Sequence, residues 1–200
     1  MKKKVLLIVD VQNDFCPGGA LPVPNGDEVI EPINEMSRFA NKRDGDEWRI
    51  FASKDWHPKK TAHFKTWPVH CIKCTFGAEL HQNLERLYIN FIIFKGTEPD
   101  EDGYSPFDGD ILTNTYAYQS LDKVLKSYAT EEIYICGLAT DYCVKAAALD
   151  ARKRGYKTYL LLDACRAVNL NPGDEEKAIQ EMKDAGVIIT TTEEVLKENL

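Results

Sequence analysis

Asp55-Trp56-His57, followed by His63 and His70, gathers three of the four histidines of the chain into one short stretch beside a carboxylate. Imidazole and carboxylate donors suit zinc, manganese or iron. On an extended segment an Asp-x-His pair points to one side, and a mixed nitrogen and oxygen shell leaves positions open for water or substrate, as a catalytic metal requires. A second set is Asp10, Lys95 and Cys143. Cys143 falls in the first turn of a predicted helix that Thr140 or Asp141 would cap, where the helix dipole and a nearby Lys95 ammonium would stabilise a thiolate. Asp10 is placed to accept the thiol proton and later return it to a leaving amine. The backbone N–H groups of the 137–143 turn are natural oxyanion donors. Taken singly, each residue has a blander reading: a packing cysteine, a turn cap, a solvated lysine, loop histidines. Cys71-Ile72-Lys73-Cys74 with His70 is a rival metal motif, weak as a structural zinc site because no second pair follows it. His81 stands apart. Phe15, Trp56, Phe64, Trp67 and Tyr104 flank the polar groups, either to stack on a flat ring or to fill the core.

What brings these groups together is the elements that carry them. Apolar runs at 5–9, 48–53, 88–94, 132–136, 156–162 and 187–190 read as six strands, the first continuous enough to be buried on both faces. Helical spacing runs over 27–40, with Val29, Ile30, Ile33, Met36 and Phe39 on one side. Further helices are predicted over 121–128, 141–154 (stopping at Gly155), 174–185 (stopping at Gly186) and beyond 190. The alternation predicts a three-layer α/β/α sandwich around a mostly parallel six-stranded sheet. Asp10, Asp55, Lys95 and the 137–143 turn then lie just past the ends of four strands, where open parallel sheets bind ligands. The segments 14–26 and 56–82 read as irregular, and long irregular segments in a compact domain are often functional.

Bulk properties set the outer bounds. Two hundred residues, 44% hydrophobic and 28% charged, suit one soluble globular domain over 1–200. The net charge of −7 disfavours nucleic acid or an anionic membrane as a partner. The apolar run after Lys2-Lys3-Lys4 is too short for a secretory signal and is followed at once by Asp10; no stretch is long enough to span a bilayer. A cytoplasmic protein with six free cysteines is expected, and association into a homo-oligomer is left open.

Six motifs, in order, are similar to the isochorismatase-like cysteine hydrolases, in particular their nicotinamidase/pyrazinamidase branch. They are Val9-Asp10-Val11-Gln12-Asn13-Asp14-Phe15, Lys54-Asp55-Trp56-His57-Pro58 with His63-Phe64, Trp67-Pro68-Val69-His70-Cys71, Gly77-Ala78-Glu79-Leu80-His81, Phe94-Lys95-Gly96 and Gly137-Leu138-Ala139-Thr140-Asp141-Tyr142-Cys143-Val144. The resemblance implies deamidation of nicotinamide to nicotinate through a thioester, within NAD salvage, with pyrazinamide as a further substrate. It implies a catalytic triad of Asp10, Lys95 and Cys143. Asp55, His57 and His70 would bind a divalent metal, zinc first and iron or manganese next, with His63 an added ligand in some members. It further implies a cis peptide between Leu138 and Ala139, oxyanion contacts from the N–H groups of Ala139 and Cys143, Phe15 and Trp67 on either side of the substrate ring, Tyr104 closing the pocket, and a pyridine nitrogen held by the metal. The chain departs from the family where His63 and His70 stand closer together than in some members, and at Cys74, where glycine is common. Another amidase of the superfamily, or a catalytically silent metal-binding homologue, are the alternative readings.

Overall fold

The apolar run at 5–9 has no solvent-facing side: none of its residues is more than 2% exposed. It forms the middle of β1 (Lys3–Val9) and runs parallel to β2 (Trp48–Asp55) on one side and β6 (Thr130–Leu138) on the other. A strand flanked by neighbours and covered on both faces can be apolar throughout, which is why no alternation appears in its sequence. The structure, a computed structural model, describes residues 2–43, 47–112 and 117–198.

Among the described residues eight strands form one sheet in the order β5-β4-β3-β2-β1-β6-β7-β8, with β3 (Phe91–Lys95), β7 (Lys157–Arg166) and β8 (Ile188–Thr190) all parallel to their inner neighbours. The expected six strands are present. The correction is the added pair β4 (Asp110–Leu112) and β5 (Tyr118–Ser120), which extend the β3 edge antiparallel. Each is three residues long, too short for a two-residue period to show.

Helix α1 (Ile30–Lys42) buries Ile30, Ile33, Met36 and Ala40 on one stripe and packs with α5 (Thr192–Glu198) against β2 and β7. Helices α2 (Leu121–Ser127) and α3 (Lys145–Lys153) pack against β6, and α4 (Asp174–Asp184) packs on α3. The two helical groups enclose the sheet as an α/β/α sandwich. Residues 27–29, expected at the start of α1, belong instead to a short 3-10 turn (Gly26–Val29) before it. Among the described residues no helix is long and apolar enough to cross a membrane. The six cysteines are free thiols.

Candidate active site

Four parallel neighbours, β3, β2, β1 and β6, end close together. In the β2–β3 register Asp55 lies opposite Lys95, and in the β1–β6 register Val9 lies opposite Gly137. The residues that finish or follow these strands therefore meet without help from any loop: Asp10, Asp55, Lys95 and the turn that carries Cys143. All four side chains are buried.

Lys95 sits at the centre. Its Nζ is hydrogen-bonded to Asp55 Oδ1, donates to the Gly103 carbonyl at 2.5 Å, and lies 2.8 Å from Asp10 Oδ2 and 3.6 Å from Cys143 Sγ. Burial works against its charge, but Asp10 and Asp55 outweigh burial and hold its pKa well above the ordinary lysine value. Asp10 stands just past β1 in the left-handed region, φ 50°. Ser53 Oγ donates to its Oδ1 at 2.7 Å, while its Oδ2 faces the ammonium without an aligned hydrogen bond. Burial raises the Asp10 pKa to about 6, against the pull of Lys95. Burial acts on Asp55 in the same sense, but Lys95, His57 and His70 overcome it and keep that carboxyl well below the usual range. Two neighbouring carboxylates thus differ in character: the charged form is favoured at Asp55 and disfavoured at Asp10.

Cys143 lies within a five-residue π-type turn (Thr140–Val144) that leads into α3, closed by Val144 N–H donating to the Ala139 carbonyl at 3.1 Å. The expected cap by Thr140 or Asp141 is not formed. Asp141 instead accepts from the Val168 and Asn169 amides at 3.0 and 2.8 Å, tying the turn to the segment after β7, and Thr140 Oγ1 is buried without a partner. Burial pushes the Cys143 thiol well above its usual pKa despite Lys95, with Asp10 and Asp55 adding to the rise. Burial thus opposes the thiolate that the helix dipole and Lys95 would favour. One oxygen each of Asp10 and Asp55 and the Cys143 sulfur lie within 4.8 Å of one another. The Leu138–Ala139 peptide is cis.

The histidines converge beside this group. His57 Nδ1 is 3.0 Å from the Gly96 carbonyl, and His70 Nδ1 is 2.7 Å from the Pro68 carbonyl. A carbonyl only accepts, so each Nδ1 carries the proton and each Nε2 keeps its lone pair. Those Nε2 atoms lie 3.7 and 3.8 Å from Asp55 Oδ2, and His57 Nε2 is buried with no hydrogen-bond partner. One ring nitrogen from each of His57, His63 and His70 falls within 4.8 Å of the others, so His63 joins the cluster despite its short spacing to His70. An orphaned buried lone pair, three imidazoles and an ionised carboxylate fit a divalent cation. Gly96 allows this packing: at φ 61° it lies against His57, and a Cβ there would meet the ring at 2.5 Å.

A cleft of about 510 Å³, its open mouth included, is lined by Phe15, Trp67, Tyr104, Leu138, Ala139 and Cys143 together with Asp55, His63 and His70. Trp67 Nε1 donates to the Tyr104 hydroxyl at 3.0 Å. Of the five aromatic candidates, Trp56 packs on Phe94 and beneath Lys54 instead, and Phe64 packs on the outer sides of His57 and His70. His81 accepts from the Asn83 amide, away from the cleft. Cys74 is exposed, and the Cys71 amide donates to Asp14. Sequence reasoning missed four residues. Gln12 clamps the Asp55 backbone, accepting from its N–H at 2.8 Å and donating to its carbonyl at 2.9 Å. Ser53 holds Asp10; Asp102 meets His63 Nδ1 at 3.2 Å; and Tyr142 packs edge-on to Trp67. A glutamine three residues past the end of a buried strand was the one available signal.

The chain is similar to known proteins along nearly all its length. The family model described as the isochorismatase domain matches residues 4–194. The Escherichia coli nicotinamidase is 38% identical, covering 96% of each chain. The Pyrococcus horikoshii pyrazinamidase, solved in complex with zinc, is 41% identical with a TM-score of 0.81 over 94% of this chain and 99% of that one. The yeast nicotinamidase, solved with the inhibitor nicotinaldehyde, is 32% identical with a TM-score of 0.82 over the same shares. With an eight-stranded sheet, a strand-end cysteine turn and a family match spanning almost every described residue, this chain belongs to the isochorismatase family.

Proposed function

We propose that this chain hydrolyses nicotinamide to nicotinate and ammonia through a thioester on Cys143, with pyrazinamide as a second substrate. The observation that carries this reading is the convergence of a thiol, a carboxylate and an ammonium on a cleft that suits one flat ring, beside a cluster of three imidazoles.

Cys143 Sγ bonds to the amide carbon while its proton passes to Asp10. The N–H groups of Ala139 and Cys143 receive the oxyanion. The C–N bond then breaks, and the proton on Asp10 goes to the departing nitrogen, which leaves as ammonia. Water gives a proton to Asp10 and its oxygen to the thioester carbon; the C–S bond breaks, and the sulfur takes the proton back. Lys95 keeps Asp10 ionised and lies close enough to the sulfur, 3.6 Å, to steady negative charge each time it develops there. Phe15 and Trp67 flank the ring, and Tyr104, held by Trp67, closes the cleft. Asp55, His57, His63 and His70 would hold a divalent metal, zinc first, with iron or manganese suiting the same donors. When bound, the metal supplies a Lewis-acidic anchor for the pyridine nitrogen.

The direct test is ammonia release from nicotinamide. It is expected to fall when metal is stripped with a chelator and to return on adding zinc. Absence of release from protein loaded in turn with zinc, iron and manganese would remove the proposal.

The Asp10 pKa carries a second expectation. Only the carboxylate can take the Cys143 proton, so kcat/KM is expected to fall tenfold per unit below a pH of about 6 and to level off above it. Ser53 donates to the charged form of Asp10. In Ser53→Ala the acid limb therefore moves to higher pH. A limb that stays in place, or moves down, would assign it to another group.

A further inference from the structure

Three histidines point into the cluster, but their outer nitrogens are anchored differently. His57 and His70 donate to backbone carbonyls, Gly96 and Pro68, which the fold itself fixes. His63 alone is met by a side chain, Asp102 Oδ1, at 3.2 Å from Nδ1. An ionised carboxylate only accepts, so this contact leaves the proton on Nδ1 and the lone pair on Nε2.

Asp102 is mostly exposed, and an exposed carboxylate contributes little when it is free to swing. Here the loop that carries it is held on both sides. The next residue, Gly103, accepts from Lys95 Nζ at 2.5 Å, and Tyr104 accepts from Trp67 Nε1 at 3.0 Å. Upstream, Glu101 accepts from the Thr97 and Glu98 amides, bracing the loop internally. The turn that carries His63 is docked on this same loop: the Pro99 carbonyl accepts from Ala62 N–H at 2.8 Å and from Thr61 Oγ1 at 2.9 Å. His63 and Asp102, 39 residues apart, are thus presented to each other by two segments bonded along their length.

We propose that Asp102 is a positioning residue for the metal, acting through His63 by fixing that ring's tautomer and orientation. The inference rests on the metal reading of the cluster. It concerns the one histidine of the cluster whose Nδ1 is met by a side chain, a support that can be removed without touching the backbone.

The test is zinc affinity by chelator competition in the wild type, Asp102→Ala, Asp102→Asn, His63→Ala and the double variant Asp102→Ala/His63→Ala. Melting of the metal-free proteins is followed alongside. Asp102→Ala is expected to weaken zinc binding roughly tenfold, the lower end of what loss of an outer partner costs a metal-ligating histidine. Asp102→Asn keeps an accepting oxygen and loses less. In the His63→Ala background removal of Asp102 has no further effect, because the residue through which it acts is gone. The metal-free melting temperatures stay together. Two results would overturn the inference: zinc affinity in Asp102→Ala equal to wild type, or an equal loss from Asp102→Ala whether or not His63 is present. Wild-type protein that bound no zinc, iron or manganese would instead overturn the metal reading, and this inference with it.

Discussion

Cys143→Ala is expected to release no measurable ammonia from nicotinamide while folding and binding substrate as the wild type does. The substitution removes one sulfur atom from a side chain that is 8% exposed and makes no hydrogen bond on which the π-type turn depends, since that turn is closed by Val144 and Tyr142 donating to the Ala139 carbonyl. The loss of a small buried group costs about 1 kcal/mol, a few degrees in melting temperature for a chain of this size. The chemical loss is of another order. Without the sulfur no acyl intermediate forms, and removal of a covalent nucleophile in other hydrolases costs on the order of 10⁶ in kcat. The variant retains the aromatic walls and the histidine cluster, so nicotinamide still binds. Mass spectrometry of quenched reactions separates the cases: an acyl adduct on wild-type protein and none on the variant. Ammonia release within a hundredfold of wild type would end the nucleophile assignment.

The second large effect is expected of Lys95→Met. The substitution keeps the length of the side chain and deletes the charge that lies between Asp10 and Asp55. Two buried carboxylates are left within 4.8 Å of each other with no ammonium to neutralise them. Breaking a buried pair in this way costs about 3–5 kcal/mol, or roughly 10 °C in melting temperature. The sign of the pH dependence is diagnostic. Asp10 already titrates near pH 6 with Lys95 present, because burial exceeds the attraction. Without Lys95 its folded pKa rises further above the ordinary aspartate value of about 3.9. The folded state then binds more protons than the unfolded chain across mild acid, and its stability declines as pH rises through that interval. The metal-free variant should therefore melt higher near pH 5 than near pH 7.5. It should also lose turnover at neutral pH, where a protonated Asp10 cannot accept from Cys143. A variant of wild-type stability would show that the two carboxylates do not depend on this ammonium.

Much of the architecture was visible in the sequence for a simple reason. Parallel strands buried on both faces, such as 5–9 and 132–136, have to be continuous apolar runs, and they stand out from polar surroundings. The strand-end position of Asp10, Asp55 and Lys95 followed from those runs alone. What stayed hidden depended on contacts between segments far apart. Asp110–Leu112 and Tyr118–Ser120 become strands because β3 offers them an edge, not because of any pattern of their own. Asp141 looks like a helix cap by type and position, but the amides of Val168 and Asn169 claim its carboxylate. Asp102 lies in an acidic stretch, 98–102, where nothing local distinguishes it from Asp100 or Glu101. Ser53 is one more small residue in a buried strand until Asp10 is seen beside it. The direction of the Cys143 shift was also beyond sequence reach: the helix dipole and Lys95 can be inferred from residue types, but the depth of burial that outweighs them cannot.

The pairing of Asp55 with Lys95 in one ladder, and of Val9 with Gly137 in the next, restricts how the chain can change length. Side chains alternate faces along a strand, so a single-residue deletion inside β1, β2, β3 or β6 would rotate the terminal group to the wrong side of the sheet. Deletions and insertions that abolish the chemistry should therefore cluster within these four strands, whereas exposed connections such as 170–173 should absorb them. A scan of single-codon deletions read out by ammonia release would trace the ladder residue by residue.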